Sequence, residues 1–105
     1  MGTKDLDIAR RFKALVMRNV TPQEIRVFGS RARGTAAEDA DLDIFVTVDH
    51  CTREIEKYIS DCAWEAGFPE DIVVVPVVVD QERLEKGPLR DSAFILNIYR
   101  EGIIV

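Results

Sequence analysis

Residues 27–46 read VFGSRARGTAAEDADLDIFV, and both the fold and the chemistry of the chain turn on this stretch. A strand end, Val27-Phe28, runs into a Gly29-Ser30 corner. A short basic helical turn, a polar loop and a second strand follow. In and beside that strand Asp41 and Asp43 alternate with Leu42, Ile44 and Val46. Strand side chains point to opposite faces in turn, so the two carboxylates share one face and the aliphatic residues take the other. Neighbouring carboxylates repel, and nothing basic interleaves them, so the pair calls for a cation. Closely spaced oxygen ligands suit magnesium. Gly29-Ser30 ahead of a helical turn supplies free backbone N–H groups suited to phosphate. Phosphate donors and metal carboxylates therefore belong to one site.

This stretch resembles the nucleotidyltransferases of the DNA polymerase β-like superfamily in their minimal, single-domain form. Their pattern is Gly-Ser, any residue, Ala or a similar residue, Arg-Gly, a short loop, then Ser-Asp-aliphatic-Asp. It stands here as Gly29-Ser30-Arg31-Ala32-Arg33-Gly34 and Asp41-Leu42-Asp43, with ten residues between Ser30 and Asp41. Ala40 occupies the place where the family usually has Ser. The resemblance implies that Asp41 and Asp43 are catalytic and bind two magnesium ions, one on the triphosphate and one at the acceptor hydroxyl. It implies that Gly29 and Ser30 cradle the phosphates of ATP or another NTP. Arg33 has two readings, a phosphate partner or a loop anchor through Glu38 or Asp39. Arg31 is expected in solvent.

The family's third carboxylate sits inside the third strand. The corresponding run here is Ile72 to Val79, IVVVPVVV, with no acid at its centre. Asp71 stands at its start and serves only if the strand's register brings that start beside the site. Asp80 at the far end is the poorer candidate.

At 105 residues the chain is expected to form one domain, and 47% hydrophobic content supports a folded globule. The net charge of −5 argues against a surface that tracks a nucleic-acid backbone. The N-terminal MGTKDLDIARR has no apolar signal core, and no stretch approaches membrane-spanning length. A soluble, cytoplasmic protein with no membrane partner is expected. Cys51 and Cys62 match no zinc spacing and read as reduced residues. His50, the only histidine, reads as a loop residue after the second strand.

Lys4 to about Val20 shows apolar residues at roughly helical spacing and is expected to be an amphipathic helix. Glu24 to Phe28 is a strand, Ser30 to Arg33 a helical turn, Gly34 to Ala40 a flexible loop, and Leu42 to Val48 a strand. Thr52 caps a helix running to Ala66, with Trp64 off its apolar stripe. Ile72 to Val79 is rich in β-branched residues, and Pro76 marks it as an edge strand. Gln81 to Lys86 and Asp91 to Arg100 read as further helices, and Ile103-Ile104-Val105 as a small strand. The turn after Phe28 is too short for a crossover, whereas a full helix joins the second and third strands. The fold class is therefore α/β (α+β): a small mixed sheet with helices mainly on one face, the arrangement of the polymerase β-like fold.

Two classes of function follow. One is an enzyme moving a nucleoside monophosphate from Mg-NTP to a hydroxyl of a protein or small molecule. Some minimal relatives do so as the antitoxin-like partner of a helical HEPN protein. The other is a catalytically reduced nucleotide-binding module that acts by pairing with a partner or with itself. Retention of Asp41 and Asp43 favours the first, and the valine-filled third strand favours the second.

Overall fold

The computed structural model describes residues 1–105. Helix α1 (Thr3–Val16) leads to strand β1 (Glu24–Phe28), the short helix α2 (Ser30–Arg33) and strand β2 (Leu42–Val48). Helix α3 (Arg53–Gly67), strand β3 (Val74–Asp80), helices α4 (Gln81–Lys86) and α5 (Ala93–Glu101), and strand β4 (Ile103–Ile104) complete the chain. The strands form one sheet in the order β3-β2-β1-β4. β1 runs antiparallel to β2 and β4, while β2 and β3 are parallel. This is the mixed sheet expected from the connection lengths. No helix is long and apolar enough to cross a membrane.

Alternation along β2 sorts its side chains onto two faces. Leu42, Ile44, Val46 and Val48 join Ile25 and Val27 under the long helices α1 and α3, in a core of 18 buried residues. Ile8, Phe12 and Val16 of α1 and Ile59, Cys62 and Ala66 of α3 fill that layer. Each such side chain, fully buried, contributes roughly 1.5–3 kcal/mol for the larger aliphatic and aromatic residues. Phe45 points the other way and meets Val79, Leu84 of α4 and Ile95 and Ile98 of α5 in a second cluster of five. The short helices thus cover part of the opposite face and leave the end that carries Asp43 open.

Several boundaries differ from expectation. α1 stops at Val16, because residues 18–20 close onto the Leu15 and Val16 carbonyls as tight turns. β3 begins at Val74, since Phe68–Glu70 form a 3₁₀ turn and Asp71 takes a left-handed backbone. Gly67 permits that tight entry, as a Cβ there would lie 2.0 Å from the Ile72 carbonyl. The last helix begins at Ala93, capped by Ser92, after a 3₁₀ turn at Pro88–Asp91. Thr52 caps α3 as expected, its hydroxyl accepting from the Ile55 N–H at 3.1 Å.

Candidate functional site

Phe28, the last residue of β1, pairs with Asp43 in the antiparallel ladder. The chain must turn away immediately afterwards, and Gly29 does so with φ 78° and ψ −158°, a region hardly open to residues with a Cβ. A Cβ on Gly29 would lie 2.6 Å from the Asp43 Oδ2 atom. The Gly-Ser corner is therefore packed directly against one of the two carboxylates. α2 starts at Ser30, and the first N–H groups of a helical turn have no partner within it. Phosphate-type donors and an acid meet here because a glycine lets them.

Asp41 lies exposed just before β2, and Asp43 is half-buried at its second position. Burial pushes the Asp43 carboxyl above its ordinary value, and the Asp41 charge raises it further. The two acids thus strain against each other on one face, the electrostatic condition that a bound cation relieves.

Arg31, not Arg33, anchors the loop before β2. Arg31 is buried, 8% exposed, and not in solvent. Its Nη1 pairs with Asp5 Oδ1 at 2.9 Å, its Nε donates to the Ala40 carbonyl at 2.8 Å, and its Nη2 donates to the Glu38 carbonyl at 2.9 Å. The loop read as flexible is thus tied down on both sides of Asp39. Arg33 is exposed and faces Glu101 of α5 at 3.4 Å, rather than Glu38 or Asp39. A signal for the buried pair existed in the sequence: Asp5 sits on the Ile8, Ala9, Phe12 stripe of α1, where an acid needs a partner.

The family model of the nucleotidyltransferase domain matches residues 8–104. The chain belongs to the nucleotidyltransferase domain family. A crystal structure of a toxin–antitoxin with AMP-PNP resembles this nucleotidyltransferase domain with a TM-score of 0.63 and 22% identity, covering 91% of this chain and 70% of that one. A Sulfolobus solfataricus protein described as a nucleotidyltransferase candidate covers 99% of this chain and 87% of its own, with 18% identity and a TM-score of 0.47. No match was found among functionally curated proteins. The first of these likenesses supports the fold read from the sequence.

Within this nucleotidyltransferase domain the parallel register pairs Asp43 with Val75. Paired residues of neighbouring strands share a face, so a valine stands beside the acid pair where the resemblance leads one to look for a third carboxylate. Asp71 precedes the ladder by three residues and lines a separate depression with Lys4, Glu38, Asp39 and Glu70. Asp80 is occupied as the cap of α4, accepting from Glu82 N at 3.0 Å and Arg83 N at 3.3 Å, and also from Cys51 N at 3.1 Å. No three His, Cys, Asp or Glu side chains gather as a ready metal cage. The residues fit magnesium held by one or two carboxylates with the remaining positions left to phosphate oxygens and water, which is how that ion is usually bound alongside a nucleotide. His50 is exposed, and Cys51 and Cys62 are both free.

Proposed function

We propose that this domain binds Mg-ATP, or another Mg-NTP, between the Gly29-Ser30 corner and the Asp41–Asp43 pair, and transfers a nucleoside monophosphate to an acceptor hydroxyl. The single observation that carries this reading is the contact of the corner with Asp43, because it joins anion donors to cation ligands within one contact distance. In the transfer, the acceptor oxygen bonds to the α-phosphorus, the α-phosphorus–oxygen bond to the leaving pyrophosphate breaks, and the hydroxyl proton passes to solvent water. Asp41 and Asp43 would hold the magnesium, which would supply neutralisation of the charge that develops in the transfer. Gly29 and Ser30 donate to the β- and γ-phosphates through their N–H groups and the Ser30 hydroxyl. Arg33 is free to exchange Glu101 for phosphate, since its exposed ion pair is worth little in water.

The neighbour is a toxin–antitoxin crystallised with AMP-PNP, which supports reading nucleotide binding and a protein partner here as well. By the family resemblance that partner is of HEPN type, and a hydroxyl on it is one candidate acceptor. A second reading rests on Val75 beside Asp43: with no carboxylate at that position, no positioned base takes the hydroxyl proton, and transfer is slow. Calorimetry with Mg-ATP tests the first reading, and Asp43→Asn should weaken binding by at least about tenfold. Equal affinity in both proteins, with and without magnesium, would overturn it. Turnover of α-labelled ATP decides the second, since Val75→Asp should raise the rate if the missing acid is limiting. No gain over an already ordinary wild-type rate would show that a third carboxylate is dispensable.

A further inference from the structure

Buried arginines are rare unless paired, and the Arg31 guanidinium has three partners on two segments, α1 and the loop before β2. Arg31 reaches Asp5 in the first turn of α1, the carbonyl of Glu38 and the carbonyl of Ala40. Ala40 immediately precedes Asp41, so the bond to its carbonyl fixes the peptide plane that leads into the first acid. The loop has little else to hold it: residues 35–40 form no helix or strand, and Ala36 and Ala40 are its only positions that are not fully exposed. Asp5 is itself only 8% exposed and supplies the counter-charge that keeps the guanidinium in place.

We infer that Arg31 is a positioning residue, which orders the loop before β2 and thereby presents Asp41 to the bound cation, with Asp5 as its anchor. It touches neither nucleotide nor metal. The role rests on the nucleotide reading above only in its consequence for affinity; the ordering of the loop stands independently. The three acceptors lie in different directions around one planar fork, an arrangement that one ammonium group cannot reproduce. Arg31→Lys therefore keeps the charge opposite Asp5 while losing the loop. Asp5→Asn does the reverse: an acceptor remains, the two carbonyl bonds remain, and the buried charge loses its counter-ion.

The experiment is amide hydrogen exchange across residues 35–41 in the metal-free protein, beside calorimetry with Mg-ATP and thermal melting, on both variants. Arg31→Lys should speed exchange in that loop, and weaken Mg-ATP by about tenfold or more, as the loss of an outer partner of a metal site does. Asp5→Asn should lower the melting temperature yet keep loop exchange and affinity within about twofold of wild type, because the ties to the loop survive. A purely structural role would make the two variants alike, each less stable with unchanged affinity in the folded protein. Wild-type loop exchange in Arg31→Lys overturns the inference. Should the lysine variant not fold, the double change Asp5→Asn with Arg31→Gln removes both buried charges at once and is read in the same way. If wild type itself binds no Mg-ATP, the nucleotide reading falls, and loop exchange alone still decides whether Arg31 orders the loop.

Discussion

Asp43 shows how a candidate site residue can cost the fold. It is half-buried at the open end of the sheet, with Gly29 packed on its Oδ2 and Asp41 two residues before it on the same face. Its carboxyl is pushed up by burial first and by Asp41 second, so at neutral pH the folded state carries a charge it holds less readily than the unfolded chain does. In magnesium-free buffer at pH 7, Asp43→Asn should therefore raise the melting temperature, by roughly 1–3 °C given how far solvent screens the pair. A fall of several degrees in differential scanning calorimetry would instead mark Asp43 as a structural hydrogen-bonding residue. Arg31 and Arg33 make the complementary case. They are two residues apart and chemically identical, yet one is buried among three oxygen partners and the other is exposed beside Glu101. The difference lies in which side of a single helical turn each occupies.

At the scale of elements, β3 is the open edge of the sheet, and Pro76 shows how it tolerates that position. The Leu42 N–H bonds the Val73 carbonyl at 2.9 Å, and in a parallel ladder alternate residues turn to the neighbour, so odd positions of β3 face β2. Pro76, at an even position, places its missing donor on the outer edge, where it costs no ladder bond and discourages a further strand. Where β3 ends, Asp80 secures three N–H groups from α4 and from residue 51. Those bonds hold its carboxyl below its ordinary value of 3.8, led by the Cys51 N–H, with nearby His50 adding to the effect. A depressed folded pKa gives stability that is present above 3.8 and lost as pH falls through the lower, folded value. Asp80→Ala should thus lower the melting temperature by about 4–8 °C at pH 7 and by clearly less at pH 2–3. Circular dichroism melts across that range check it, and a difference independent of pH would remove the carboxylate's charge from the account.

At the scale of the whole molecule, an apolar surface lies at the C-terminal end of α3, away from the Gly29–Asp43 corner. Trp64 is 67% exposed, Phe68 68% and Val73 57%, and the two rings meet at 5.6 Å at the end of α3 beside the β3 edge. A contiguous exposed apolar patch is a candidate contact surface. Because Trp64 is the chain's single tryptophan, its emission reports this surface alone. The dilute chain should show red-shifted emission that acrylamide quenches freely, and Trp64→Ser should move the melting temperature by under about 2 °C, as expected away from the core. Blue-shifted, protected emission in a sample that light scattering shows to be monomeric would mean that Trp64 packs on its own domain instead.

Local chemistry was enough for the sequence to determine which elements form, and to mark the pair of features that make the candidate site. Val27 to Phe28, Leu42 to Val48 and Gln81 to Lys86 lie where alternation, periodicity and capping residues put them, because those signals act over a few residues. The GSRARG corner and the Asp41-Leu42-Asp43 alternation were legible for the same reason, and the short turn after Phe28 already required an antiparallel neighbour. Register was not legible, since valine follows valine through β3 and a slip of one residue changes no local pattern. Only the folded ladder pairs Asp43 with Val75 and leaves Asp71 outside. Nor could local reasoning seat Arg31, whose ion-pair partner Asp5 lies 26 positions away and becomes its neighbour only when α1 packs across the sheet. Composition bounds how many charges a chain carries, but the packing of distant segments decides which of them water no longer reaches.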